Sequence, residues 1–364
     1  MMNIYLLMVI IILVLSRLFN VKDEKERAWF VNLSCFAMFV VMGFRDVTQI
    51  GNDSKSSYRI YFDQMDSARI SKFFDFFSDD SYNNGFYLFM KICHTITGGD
   101  YQVFIIILSF IILLSFAFLI RKYSISPLQS FCYYWGLLYY TFMFSAEKQA
   151  LAMSILVFSF DAALEKKPFR FLLLTFLAGW VHFPAYIFIF VYILAQMDIK
   201  SGYVLLLGLS LLITYLFRDY ILKVMMNAYR GEEESYSMEG IAFFRNKVIL
   251  MIIIFAAAMI LRPVKEQGRL YKTLLLMMIL AIDFQTFCGY NNIFERLSDY
   301  FYYYIIIFLP MLFEFPKQSK NFFTRRSELA MKWLLPLGAC SFGIWRFLTT
   351  VNSDKFFTPY NFFF

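Results

Sequence analysis

Long apolar segments recur along the whole chain and constrain its fold more than any other feature of the sequence. Representative segments run from Tyr5 to Phe19, Val103 to Ile120, Val248 to Leu261 and Leu329 to Leu348. At 1.5 Å of rise per residue, a helix of about 20 residues crosses a hydrocarbon layer roughly 30 Å thick. With 60% hydrophobic residues in 364, the chain has more apolar surface than one soluble core can bury. We therefore predict an all-α, polytopic membrane protein. Residues 1–364 would form a single integral membrane domain with about 12 transmembrane helices, some of them short or broken.

Lysine and arginine residues are concentrated in the short connections between these segments, which predicts an orientation. Basic residues resist translocation and accumulate on the cytoplasmic side. All the basic connections can lie inside together if both termini are extracytoplasmic; the connections are 17–27, 121–122, 166–170, 262–272 and 317–332. The net charge of +7 is explained by these dispersed residues, so no nucleic-acid partner is predicted.

This orientation places two long connections outside. The first, residues 44–84, is rich in aspartate and aromatic residues, which predicts an external loop with short amphipathic helices on the membrane surface. The second, residues 218–245, holds the acidic run Glu232 to Glu234 and is typical of a solvated external loop. Between them, Gly85 to Thr97 is too short to cross comfortably, so we interpret it as re-entrant.

A helix break is predicted around His182. The run Gly179 to Pro184 contains glycine, histidine and proline, and the charge count requires two short helices between Pro168 and Gln196. Non-helical backbone at membrane depth is tolerated only when it is buried in protein or lines a wet cavity. His182 is therefore a candidate acid or base, although a histidine on an apolar face is also a common hydrogen-bonded core residue.

Absent motifs narrow the chemistry. The sequence has no phosphate-binding P-loop, no dinucleotide fingerprint, no H-E-x-x-H and no G-x-S-x-G. ATP-driven transport, nicotinamide redox chemistry, zinc proteolysis and elbow-type serine hydrolysis therefore lose support. We predict no cofactor and no metal site, with carboxylates of the first loop as the alternative ligands for a divalent cation.

Three cations stand where apolar segments end, at what the charge count makes the outer surface. Arg45 follows an apolar segment, and could grip a phosphate or extend to lipid headgroups. Lys148 could neutralise an anionic headgroup or form an ion pair with Glu147 or Glu295, and Arg296 could bind substrate or serve as an interfacial anchor. Together they predict a site for an anionic, lipid-linked substrate.

Other polar residues accompany these cations. Asp53, in Gly51-Asn52-Asp53, is a candidate general base or a turn-stabilising residue. Gln149 follows Lys148 directly and is a candidate substrate-binding residue. Tyr300 lies one helical turn after Arg296 on the same face, and is either a substrate contact or part of an aromatic belt.

The order of motifs resembles the EpsG family of membrane proteins, related to Wzy-type polymerases of bacterial exopolysaccharide, capsule and O-antigen. The matching pieces are Gly43-Phe44-Arg45-Asp46, Gly51-Asn52-Asp53 with Tyr58 and Phe62, Gly85-Phe86, Lys148-Gln149-Ala150, the break at His182, Glu295-Arg296 with Tyr300-Phe301, and Pro359-Tyr360. The chain departs from the family pattern in having Lys148 where members typically have arginine, and in having Asn83 and Asn84 before Gly85, where members usually have an acidic residue.

The resemblance implies a GT-C-like fold with an outward-facing cavity in the bacterial plasma membrane. It implies transfer of an oligosaccharide from undecaprenyl diphosphate onto another lipid-linked unit, with Arg45, Lys148 and Arg296 on the diphosphate and His182 or Asp53 as base. Its partners would be the lipid-linked oligosaccharide, membrane lipid, and a chain-length regulator and a flippase of the same pathway. Two alternatives remain open, a glycosyltransferase that uses a lipid-phosphate sugar and a polysaccharide exporter.

Overall fold

The protein is a bundle of helices, as seen in a computed structural model that describes residues 3–51, 53–74, 82–198, 202–229, 245–261, 268–313 and 334–364. The α-helices are α1 Ile4–Leu18, α2 Glu24–Gly43, α3 Arg59–Asp63, α4 Asn84–Thr97, α5 Tyr101–Tyr123, α6 Pro127–Gly136, α7 Tyr139–Phe142, α8 Glu147–Leu164, α9 Pro168–Val181, α10 Phe190–Gln196, α11 Tyr203–Tyr229, α12 Asn246–Leu261, α13 Gly268–Thr286, α14 Ile293–Tyr302, α15 Ile305–Phe313 and α16 Leu335–Ser353. The predicted all-α class is confirmed.

Among the described residues, three helical stretches are long and apolar enough to cross a membrane by themselves, namely Tyr101–Tyr123, Tyr203–Val224 and Gly268–Gly289. The first is α5, in which the side chain of Asp100 accepts hydrogen bonds from the first-turn N–H groups of Gln102 and Val103. Such helices are those of a membrane protein. Several other apolar helices are shorter, and the prediction of about 12 spans stays a prediction.

One end of the bundle holds the beginning of α1 and the end of α16. Asn3 is hydrogen-bonded to Asn352, and the hydroxyl of Tyr5 donates to the carbonyl of Phe357. The segment after α2 meets the C-terminal segment at the same end, where Arg45 and Phe362 form an antiparallel bridge. The first residues of the described chain, its last residues and the first long connection therefore share one end, which we call the cavity end.

The opposite end, which we call the basic end, gathers the predicted cytoplasmic connections. Arg27 donates to the carbonyl of Ser124, which links the first basic connection to the second. Lys122 is ion-paired with Glu165, next to the third, and Arg269 of the fourth connection contacts Gln196 at the end of α10. The predicted clustering of these four connections is confirmed for the described residues; the fifth, 317–332, lies outside them.

A broken hairpin enters the bundle from the basic end. Helix α9 ends at Val181, a 3₁₀ stretch runs from Phe183 to Ile189, and α10 returns to the basic end at Gln196. His182 lies between them with extended backbone, φ −146° and ψ 107°. The helix break predicted at His182 is confirmed, and it places the imidazole at the turning point of the hairpin.

The structure differs from the sequence prediction at two other places. Helix α11 continues to Tyr229, so the second loop cannot begin at Arg218, whose guanidinium lies over the ring of Tyr215 one turn earlier. A long arginine side chain can extend along a helix towards water, so an arginine at this position need not end the helix. The rest of that predicted loop, 230–244, lies outside the described residues.

The second difference is an additional break, between α6 and α7. Leu138 adopts a left-handed conformation with φ 64°, and the chain turns there without a proline or glycine at that position.

The predicted short helices of the first connection are seen as α3 and the turns around it, Ser54–Tyr58, Gln64–Asp66 and Ile70–Phe74. Phe62 and Phe73 are buried in these helices, whereas Ile60 and Tyr61 are exposed.

Candidate functional site

A cavity of about 650 Å³ lies at the cavity end, and its size is within the range of ligand sites. Its polar lining comes from widely separated parts of the chain: Asp53, Lys148, Gln149, His182, Arg296 and Asp354. We call it the first cavity. Aromatic side chains, including Tyr58, Tyr61 and Phe357, complete its walls.

Two cations approach the first cavity from different helices. Lys148 lies in the first turn of α8, with its Nζ atom 5.7 Å from the centre of the Tyr58 ring. Arg296 lies in α14, and both side chains are half-buried. The side-chain amide of Gln149 donates to the backbone carbonyl of Arg296 over 3.1 Å, which fixes α8 against α14. This contact keeps the two cations directed at the same space, where they can complement an anionic group.

His182 forms the deepest titratable part of the wall. It is buried, lines the first cavity, and its Nδ1 atom is hydrogen-bonded to the hydroxyl of Tyr300. The following residue, Phe183, donates its backbone N–H to the side chain of Asn83 over 3.0 Å, which anchors the break in the hairpin. With one ring nitrogen held by a tyrosine, the other keeps a defined direction and can exchange a proton.

Asp53 reaches the cavity from a turn that requires glycine. Gly51 has φ +94°, and a Cβ atom at this position would lie 2.8 Å from the carbonyl oxygen of Phe144. Its N–H donates to the carbonyl of Phe356 over 3.1 Å. The turn is thereby clamped between the segment before α8 and the C-terminal segment, and the carboxylate of Asp53 lies at the cavity surface.

Behind this wall lies a buried polar network centred on Arg45 and Glu147. The guanidinium of Arg45 donates to the carbonyls of Met42 and Phe144, the latter over 3.1 Å, and stacks on the Phe144 ring at 4.7 Å. Glu147 accepts hydrogen bonds from the hydroxyls of Ser54, at 2.6 Å, and Tyr101, at 3.1 Å. Burial lowers the pKa of Arg45, and the nearby Glu147 carboxylate raises it. The network joins the first connection to α5 and α8.

The predicted site residues thus fall into two groups. Asp53, Lys148, Gln149, His182 and Arg296 line one cavity, although they are far apart in sequence. Arg45 and Tyr300 are 1% exposed and lie behind the wall, one in the buried network and the other bonded to His182. The chemical roles assigned to these residues from the sequence stay predictions.

Two carboxylates of the site were not singled out from the sequence. Glu147 was considered only as an ion-pair partner for Lys148, but its carboxylate points into the buried network, while Glu295 is bonded to Lys247. Asp354, just after α16, lines the first cavity. A signal for Glu147 existed, because an acidic residue beginning an apolar helix is costly unless it has a partner.

A metal site is not apparent in this region. Within the ranges that the structure describes, no group of three or more histidine, cysteine, aspartate or glutamate residues is arranged to hold a metal ion. The chemistry that the described site itself offers is that of two cations, a histidine and carboxylates around one space.

Fold and site together define a helical membrane protein with a charged cavity at one end. The model of the EpsG family matches residues 28–362, nearly the whole chain. The chain therefore belongs to the EpsG family, which is a family of Wzy-like polymerases, and this membership implies glycosyltransferase activity of the polysaccharide-polymerase kind. No curated protein and no solved structure matches the chain.

Proposed function

We propose that this protein polymerises oligosaccharide repeat units carried on undecaprenyl diphosphate, by glycosyl transfer on the outer face of the bacterial plasma membrane. The observation that carries the proposal is the convergence of Lys148, Arg296, His182 and Asp53 on the first cavity. A lipid diphosphate leaving group needs cations, and an attacking hydroxyl needs a base, and the cavity offers both residue types.

The transfer exchanges one bond for another. The hydroxyl oxygen of the acceptor sugar attacks the anomeric carbon of the donor, and the bond from that carbon to the diphosphate oxygen breaks. The bonding electron pair goes to the diphosphate, where Arg296 and Lys148 stabilise the developing negative charge. The hydroxyl proton goes to the base on the cavity wall.

His182 and Asp53 are the two candidate bases. The Tyr300 hydroxyl orients the imidazole of His182, and a neutral imidazole can accept a proton directly. Asp53 belongs to the first connection and also lines the cavity. We favour His182 as the base. In this proposal Gln149 fixes α8 against α14, and Tyr300 is a positioning residue.

Arg45 takes a different part in this proposal. Its donors are directed at the carbonyls of Met42 and Phe144, so it supports the cavity wall from behind and fixes the turn that carries Asp53. In this role Arg45 shapes the diphosphate site without touching the substrate.

The orientation follows from the charge distribution. The basic end would face the cytoplasm and the cavity end the outer surface, because lysine and arginine resist translocation. Lipid-linked units would then arrive from the outer leaflet after a flippase, and a chain-length regulator would act on the growing product.

Electrophoresis of lipid-linked glycans tests the proposal. Cells producing the protein should contain long polymer, whereas cells lacking it should accumulate single repeat units on the carrier. A product one sugar longer would indicate a monosaccharide transferase, and relocation of glycans without new glycosidic bonds would indicate an exporter; either result overturns the proposal.

A histidine pair sharpens this experiment. Replacing His182 with Gln should lower polymer formation about 10²- to 10⁴-fold, the usual contribution of a general base. His94→Gln is the matched control, because His94 is the chain's other histidine and packs against Phe62. Equal polymer in both variants would remove His182 from the mechanism.

A further inference from the structure

A second cavity of about 640 Å³ lies beside the first. The two share Leu138 and Phe142 in their linings, so the short helix α7 forms a partition between them. Leu138 holds a left-handed conformation, φ 64°, which is costly for a branched residue. The strained turn therefore stands at the place where the two cavities meet.

Helix α14 forms the other part of this partition. Arg296 lines the first cavity, and the preceding residue, Glu295, lines the second. Consecutive residues of a helix point about 100° apart, which follows from 3.6 residues per turn. One helix thus presents a cation to one cavity and a carboxylate to the other.

The second cavity has the groups that bind sugars. Lys247 is bonded to Glu295 at 2.9 Å and to Asp299 at 3.0 Å, so its charge is already balanced. Tyr139 donates to Asp299 over 3.3 Å. Tyr302 is 2% exposed and lines this cavity, and its hydroxyl has no hydrogen-bond partner within the described chain. Buried hydroxyls normally have partners, so the Tyr302 hydroxyl has an unused hydrogen-bonding capacity in the wall of the second cavity.

We propose that the second cavity binds the sugar units of the acceptor glycan, an inference that rests on the proposed polymerase function. Polymerisation needs two glycans at once, and only one can place its diphosphate at Lys148 and Arg296. Glu295 and Asp299 can accept hydrogen bonds from sugar hydroxyls, and Arg346, which also lines the second cavity, donates to the carbonyl of Gly136. The acceptor's terminal hydroxyl reaches the first cavity past Leu138 and Phe142.

Separate titration of donor and acceptor tests this inference. The protein in lipid nanodiscs receives, as donor, lipid-linked repeat units whose acceptor hydroxyl has been blocked by methylation, and, as acceptor, free oligosaccharide released from unblocked units. Tyr302→Phe should raise the KM for the free oligosaccharide about three- to tenfold, the effect of one lost hydrogen bond, and leave the KM for the donor unchanged. Glu295→Gln should act in the same direction, and serves if the first variant does not fold.

Tyr134→Phe is the matched control. Tyr134, in α6, is another buried tyrosine whose hydroxyl has no hydrogen-bond partner within the described chain, and it lines neither cavity. Its variant should keep both KM values. An unchanged acceptor KM in Tyr302→Phe and Glu295→Gln, or an equal rise in the donor KM, would overturn the inference while parental polymerisation continued. Absence of polymer with the parental protein would instead overturn the proposed function.

Discussion

Two arginines near the first cavity, Arg296 and Arg45, look alike in the sequence and differ in the structure. Each lies at the end of an apolar stretch at the cavity end. Arg296 lines the cavity and is half-buried, whereas Arg45 is 1% exposed and donates to backbone carbonyls. A cation at the end of a membrane helix can therefore bind a substrate or stabilise the fold. The burial of the side chain decides which of the two roles it has.

The energetics of the two positions differ accordingly. A fully buried charge is stable only with good hydrogen bonds and a compensating charge nearby. Arg45 has the carbonyls of Met42 and Phe144, and the carboxylate of Glu147 lies in the same network. Arg296, in contrast, borders a cavity, where solvent or substrate can share its charge. Removing Arg45 should therefore lower the stability of the protein, and removing Arg296 should lower the rate of polymer formation.

The largest expected effect is on stability at the buried arginine. Arg45→Ala removes a buried guanidinium that bonds the carbonyls of Met42 and Phe144 and lies near the Glu147 carboxylate, and two hydrogen bonds of a charged group contribute about 3–6 kcal/mol. The free energy of unfolding, measured in detergent micelles, should fall by about that amount. Loss of polymer should accompany the loss of folded protein.

A double-mutant cycle shows whether the two charges are coupled. Glu147→Gln should also destabilise the protein, because Arg45 then lacks its counter-charge. The double variant should be more stable than the sum of the two single effects predicts, since neither charge is then left alone. Additive effects would show that Arg45 and Glu147 act independently.

The next effect is on the reaction, at the cavity arginine. Arg296→Ala should lower polymer formation about 10²- to 10³-fold, the usual loss when a group that stabilises developing charge is removed. Single repeat units should accumulate on the carrier, as measured by electrophoresis of lipid-linked glycans. The thermal unfolding transition should stay close to that of the parent, in contrast to Arg45→Ala.

Two further variants control this result. Arg296→Lys keeps the charge and should recover part of the activity, though without bidentate hydrogen bonding. Arg59→Ala removes an exposed arginine of the first connection and should leave polymer formation unchanged. A stable, fully active Arg296→Ala protein would contradict the assignment of Arg296 to the substrate.

The sequence predicted which charges share an end of the bundle, and it could not predict their depth. Counting lysines and arginines in the connections correctly grouped the residues of the basic end. Such a count works because polar connections between apolar segments can be identified in the sequence. The same count assigns both Arg45 and Arg296 to the other end of the bundle, the cavity end. That Arg45 is buried in the fold while Arg296 lines the cavity depends on Phe144 and Glu147. These two residues are about a hundred residues from Arg45 in sequence and become its neighbours only after folding.

Helix breaks show the same limit. The break at His182 was readable because glycine and proline flank it. The break at Leu138 was not, because Leu137, Leu138 and Tyr139 have no helix-breaking residue among them. Gly136, which ends α6, lies two residues earlier and packs closely against Gly343 of α16, and the partition between the two cavities was not predicted from the sequence.

The basic end extends the comparison to an ion-paired carboxylate that lies near water. Glu165, just after α8, is bonded to Lys122 at 2.6 Å and Lys167 at 2.7 Å, and these partners lower its pKa to about 2. Because this carboxylate is near water, its contribution to stability should be the smallest of the three.

The pH dependence of this small effect has a defined sign. A carboxylate whose pKa falls on folding stabilises the protein above its ordinary pKa of 4.5, and the stabilisation is lost as the pH falls towards about 2. The melting temperature of the parent should therefore exceed that of Glu165→Gln at neutral pH, and the difference should shrink below pH 4.5. Salt at about 1 M should also reduce it, because the Debye length is then about 3 Å. A difference that neither acid nor salt changes would mean that Glu165 stabilises the basic end by packing, and that its charge, unlike those of Arg45 and Arg296, has no role.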